Sequence, residues 1–118
     1  MNRKDLEDRT KKFHVDVIKL CDLLPRTPAG FETAKQVIRS AGSVGANYRS
    51  TRRAKSTPDF IYKIEMVLEE ADETHYWLEI IKQAGLVVNN DSLDTLIQEA
   101  FELTAIFTAS AKTIKLNK

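Results

Sequence analysis

Between residues 4 and 24 the larger apolar side chains recur as Leu6, Phe13, Val17, Leu20 and Leu24, steps of seven, four, three and four that share one helical face. The pattern predicts an amphipathic helix. PRTPAG closes it, because each proline lacks an N–H and pushes the residue before it out of helical torsions. A second helix is expected from residue 30 or 31 to 54, with Ala34, Val37, Ile38, Ala41, Val44, Gly45 and Tyr48 repeating at three and four along a thin stripe. In KSTPDF, Ser56 or Thr57 suits an N-cap, Pro58 the first helical position and Asp59 the positive helix end. The third helix spans 58–84 on Phe60, Ile64, Val67 or Leu68, Ala71, His75, Leu78 and Ile81, with Gly85 at the place of a left-handed cap. After LVVNND, a fourth helix capped within 90–92 carries Leu93, Leu96, Ile97, Ala100, Phe101, Thr104, Phe107, Ala111 and Ile114. Strand alternation is absent, and the β-branched run at Leu86, Val87 and Val88 is too short to found a sheet. Four segments of roughly 20–27 residues, each about 30–40 Å long, joined by short connections, predict an all-α, antiparallel, up-down-up-down four-helix bundle.

One stretch departs from the amphipathic pattern. Ser40, Ala41, Gly42, Ser43, Gly45 and Ala46 leave the second helix almost without side-chain bulk. Glycine inside a helix costs about 1 kcal/mol against alanine, so Gly42 and Gly45 call for compensation. Close approach of a neighbouring helix, in this bundle or in another subunit, is the expected one. A local kink is the alternative.

A chain of 118 residues is sized for one domain, residues 1–118, and long enough to bury a core without metal or disulfide. Its 42% hydrophobic and 30% charged residues are those of an ordinary globular protein. The lone cysteine, Cys21, excludes an intrachain disulfide and falls on an apolar-periodic segment, so it is expected to be a small buried hydrophobe. The charged N-terminus is followed by no apolar leader core, and no apolar run approaches the length of a membrane span; a cytoplasmic location is expected, without membrane partners.

The net charge is only +1, yet it is unevenly spread. Lys35, Arg39, Arg49, Arg52, Arg53 and Lys55 lie in a window, 33–58, that contains no acid, which leaves −5 for the rest of the chain. Arg52 and Arg53 follow Arg49 at three and four, so the three share a helical face and suit successive phosphates of RNA or DNA. Pairing with the acids of the third helix, Glu65, Glu69, Glu70, Asp72, Glu73 and Glu79, is the competing expectation, and the near-neutral molecule favours it.

QVIRSAGSVGANYRSTRRAKSTPDFIYKIEMVLEEADETHYWLEII closely resembles the centre of the bacterial four-helix bundle proteins, also called 23S rRNA intervening-sequence proteins or the S23-type ribosomal protein family. The resemblance rests on Gln36, Val37, Ser40, Ser43, Val44, Asn47, Tyr48 and Arg49, then Ser56 and Phe60, then residues 69–79. Gly42 stands where that family accepts small or polar residues. The resemblance implies a ring-shaped homopentamer, so that the chain's first partner is itself. Some members are encoded inside intervening sequences of large-subunit ribosomal RNA genes. A related branch, the accessory variability proteins of diversity-generating retroelements, forms basic pentamers that bind nucleic acid and reverse transcriptase.

The remaining chemistry is sparse. Asn47, Ser43 and Glu73 lie near core-facing positions and are expected to form a buried polar network joining helices two and three, because an unpartnered buried polar group costs about 1–3 kcal/mol. Tyr48, Tyr76 and Trp77 are candidate core or interface anchors. Asp72 and His75 have the i, i+3 spacing of di-iron bundles, but His14 has Lys11 at the matching position, and Asp94, Glu99 and Glu102 come without a histidine. No metal, cofactor or catalytic constellation is expected. The chain reads as a non-enzymatic oligomeric bundle, with a nucleic-acid-binding accessory protein as the alternative.

Overall fold

Each of the four helices begins where a short polar side chain turns back onto the helix's own free N–H groups. The structure, a computed structural model, describes residues 1–88 and 90–117. Helix α1 (Arg3–Cys21) starts with a capping box in which Asn2 accepts from the Asp5 N–H and the Asp5 carboxylate accepts from the Asn2 N–H. Thr27 caps α2 (Pro28–Ser50) through the Gly30 N–H, Ser56 caps α3 (Thr57–Gln83) through the Asp59 N–H, and Asn90 caps α4 (Asp91–Leu116) through the Leu93 N–H. A short 3₁₀ turn, Thr51–Arg53, follows α2.

The helix ends answer to the same local chemistry. Residues 22–24, expected to be helical, instead tighten into i to i+3 bonds onto Lys19, Leu20 and Cys21, because Pro25 bars helical torsions at Leu24. At the other punctuation mark Gly85 takes a φ of 66°, which lets its N–H donate to the Lys82 carbonyl and the Leu86 N–H donate to the Ile81 carbonyl. That double closure is the cap expected from the sequence. Residue 89 of the connection that follows lies outside the described residues.

The helices pack into an all-α antiparallel four-helix bundle, 47 × 22 × 21 Å. Consecutive helices carry the packing: α2 with α3 and α3 with α4 touch most, then α1 with α2, while α1 and α4 meet only lightly. The core is one cluster, centred on Phe13 and Val17 of α1, Val44 of α2, Ile64 and Leu78 of α3, and Leu103 and Phe107 of α4.

On α3 and α4 the buried stripes are stricter than expected. They run Ile61, Ile64, Val67, Ala71, Thr74, Leu78, Ile81 and Leu93, Leu96, Ala100, Leu103, Phe107, Ala111. Thr74 therefore replaces His75 as the inward residue, and Leu103 faces the core while Phe101 is 58% exposed. Steps of three and four hold a stripe facing a neighbour, whereas the larger side chains at 75 and 101 fall beside it. Cys21 is half-buried rather than buried, and desolvation pushes its thiol up to about 11, which makes it a poor nucleophile.

Candidate functional site

The acid-free window of the sequence folds into the outer face of α2 and the turn that follows it, and the structure divides its six cations. Arg39 reaches across to α3, with Glu70 at 3.2 Å and Glu73 at 2.8 Å. Arg52 turns the other way, to Glu7 of α1 at 3.5 Å, and donates to the Arg49 carbonyl at 3.4 Å. Lys35, Arg49, Arg53 and Lys55 are exposed and have no acid partner among the described residues. Pairing with α3 thus accounts for Arg39 alone.

The acidic pair that holds Arg39 is electrostatically divided. Burial, and then the adjoining Glu73 carboxyl, hold Glu70 above the usual carboxylate range. Burial pushes Glu73 the same way, but the Arg39 hydrogen bond, with help from Glu70 and the Trp77 indole, outweighs it and keeps Glu73 below that range.

The polar tie inside the α2–α3 seam is not the expected one. The Ser40 and Thr74 hydroxyls, both fully buried, lie 2.9 Å apart; Thr74 gives its one proton to the Glu70 carbonyl at 2.7 Å and accepts from Ser40, whose oxygen lies a longer 3.3 Å from the Val37 carbonyl. Ser43, Asn47 and Glu73 form no joint network. Ser43 adjoins Glu70 at the seam's edge and draws its carboxyl down, Glu73 is taken by Arg39, and the Asn47 side chain has no hydrogen-bond partner among the described residues. A buried tie made by the shorter hydroxyls leaves the amide and the carboxylate at the half-exposed margin, within reach of solvent.

Of the three aromatic anchors, Tyr48 is in the core. Its ring meets Phe107 at 5.4 Å, and the Arg3 guanidinium lies 5.0 Å from its centroid. Arg3 in turn donates to Thr51 Oγ1 at 2.8 Å, and Glu7 stands 3.5 Å from both Arg3 and Arg52. This cluster ties the start of α1 to the end of α2. Trp77 is half-buried with its indole N–H 3.5 Å from Glu73 Oε1, and Tyr76 projects outward edge-on to it.

Of the tiny residues of α2, Gly42 and Gly45 face α1. A methyl group at position 42 would lie 2.9 Å from the His14 ring, and one at position 45 would lie 3.4 Å from Thr10 Oγ1. Gly42 therefore serves close packing within the bundle, as expected, whereas at Gly45 an ordinary contact would form. Outside this contact the two helices leave an open groove of about 450 Å³, floored by Thr10, Gly42 and Gly45 and rimmed by Lys11 and Arg49. Sequence periodicity had no means of revealing it, since it depends on how α1 lies across α2.

The α1–α4 seam holds two further grooves, of about 510 and 410 Å³. Arg9 bridges it, forking onto Glu99 with two bonds of 2.7 Å and touching Glu102 at 3.1 Å. Among the described residues no group of three His, Cys, Asp or Glu side chains is placed to hold a metal ion, and no helix is long and apolar enough to cross a membrane. Asp72 forms no ion pair or hydrogen bond with His75, which packs on Phe101 at 6.3 Å and lies 3.9 Å from Glu79.

The model of a family described as 23S rRNA-intervening sequence protein matches residues 4–109. Among solved structures, the crystal structure of a protein with unknown function from the S23 ribosomal protein family of Bacteroides thetaiotaomicron VPI-5482 is similar, with a TM-score of 0.83 and 29% identity over 95% of this chain and 99% of that one. No curated protein matches the chain.

Proposed function

The chain belongs to the 23S rRNA-intervening sequence protein family, and from that premise we propose that it is a non-enzymatic, self-assembling helical module of the cytoplasm, a homopentamer whose repeated faces form an interaction or scaffold surface. The observation that carries this is the set of aromatic side chains left outside the core. Phe31, Tyr62, Tyr76 and Phe101 are 63%, 62%, 54% and 58% exposed. Single exposed apolar residues are ordinary, but four aromatics on a bundle this small are the residue type enriched where proteins meet. The S23-family relative is itself described as having unknown function, so no catalytic role passes from it to this chain. Light scattering after size-exclusion chromatography tests the proposal. The expected mass is near five times 13.4 kDa; a monomer at all concentrations overturns it.

A second function is favoured by a separate observation, the four cations of α2 and its following turn that have no acid partner. Lys35, Arg49, Arg53 and Lys55 repeated around a ring form a multivalent basic surface for RNA or DNA. Affinity for a single-stranded RNA is then expected to fall steeply with added salt, and Arg53→Glu with Lys55→Glu to abolish binding at unchanged oligomer mass. Binding that ignores both salt and these substitutions overturns it.

A further inference from the structure

In two places the charges left without an ion pair are of one sign. On the rim of the α1–α2 groove, Glu7 is held by Arg3 and Arg52, and Asp8 by Lys4 at 2.7 Å, so the uncommitted charges are Lys11 and Arg49. On the outer stripe of α3 the converse holds. Glu65 is bound by Lys115, Glu70 and Glu73 by Arg39, and Glu69 and Asp72 have no cation partner among the described residues. Spacings of three and four place Glu69, Asp72 and the exposed Tyr76 on one face of α3.

The groove itself costs the isolated bundle something. A helical glycine is less favourable than alanine by about 1 kcal/mol, and at position 45 a methyl group would meet α1 at ordinary contact distance. Nothing within one bundle therefore calls for Gly45, whereas a ring laid over Gly42, Gly45 and Ala46 would use the space they leave open.

We propose that the α1–α2 groove of one copy receives the outer α3 stripe of a second copy, with Tyr76 lying over Gly42, Gly45 and Ala46 and with Glu69 and Asp72 meeting Lys11 and Arg49. The contact joins two different faces, so it is heterologous, and successive copies add in one rotational sense until a ring closes. A tyrosine suits the position because its ring fills the small-residue floor and its hydroxyl stays at the polar rim. This rests on the self-assembly proposed above and adds to it the two faces that meet.

Two charge-reversed chains test it: a groove variant, Lys11→Glu with Arg49→Glu, and a stripe variant, Glu69→Lys with Asp72→Lys. Each alone is expected to run as a monomer of unchanged helical content. Mixed in equal amounts they are expected to assemble again beyond the monomer, because the native stripe of the first variant meets the native groove of the second and its reversed groove meets the reversed stripe. Tyr76→Ala, which removes an exposed side chain, is expected to weaken assembly at least about tenfold at unchanged helical content. If the native chain assembles and both variants keep its mass, the faces are wrong and self-assembly stands. If the native chain is a monomer, self-assembly fails and the contact with it. If the groove variant keeps its mass but loses RNA affinity, the groove serves nucleic acid, and the proposed contact is overturned.

Discussion

Glu70 and Glu73 share one arginine, yet their surroundings move them in opposite directions, and this gives each a different part in stability. Glu70 is held above its ordinary 4.5, so its contribution is present below that pH and is lost as pH rises through the folded value. Glu73 is held below 4.5, so its contribution is present above that pH and is lost as pH falls through the folded value. Glu73→Gln is therefore expected to cost up to about 1 kcal/mol at pH 7, while Glu70→Gln costs little or nothing. Urea denaturation measures both, and the difference should disappear as pH falls through the folded value of Glu73, below the ordinary carboxylate range. The buried hydroxyl pair makes a second case. Thr74→Val keeps the volume and removes the bond to Ser40, for an expected loss of about 1 kcal/mol. At Gly30 a methyl group would stand 1.9 Å from the Pro25 carbonyl oxygen, a backbone atom that has no room to yield. Gly30→Ala is thus expected to destabilise by about 1–3 kcal/mol, read as a lowered thermal midpoint.

At the scale of helices, the sequence showed where each begins and ends more clearly than which residues it turns inward. Ser56, Asn90, Gly85 and the prolines act through their own backbone neighbours, so their effects are written locally. Thr10 and Thr74 were hidden because they are polar, although each returns its hydroxyl to the carbonyl four residues back and so sits in the core as a near-apolar residue. His75 and Phe101 misled in the opposite way, since a large ring can lie beside a buried stripe. Of the candidate site, the acid-free window and its clamp to α3 were legible as charge. The groove, the Glu7 contact and the Arg9 bridge were not, because they join segments far apart in the chain. The Arg9 bridge makes a prediction for α1. Both Arg9 and Glu99 are mostly shielded, and the bond is forked, so Arg9→Ala is expected to cost on the order of 1 kcal/mol and to speed hydrogen exchange in α1 before α3.

For the whole molecule, the near-zero net charge conceals a basic side and an acidic side, and that polarity governs how copies would associate. Assembly is expected to be strongest at low ionic strength and to loosen as salt approaches 1 M, where charges are screened beyond about 3 Å. Sedimentation velocity across a salt series checks this, and a mass independent of salt would assign the contact to the aromatics alone. The light meeting of α1 with α4 has a different consequence, in time. Every extensive interface joins helices adjacent in the chain, a topology that shortens the search for native contacts and places folding in the microsecond-to-millisecond range. The α1–α4 closure, which brings Arg9 to Glu99, is the one seam that spans nearly the whole chain. It is expected to form after the rate-limiting step, so that Arg9→Ala quickens unfolding in stopped-flow experiments and leaves the folding rate where it was.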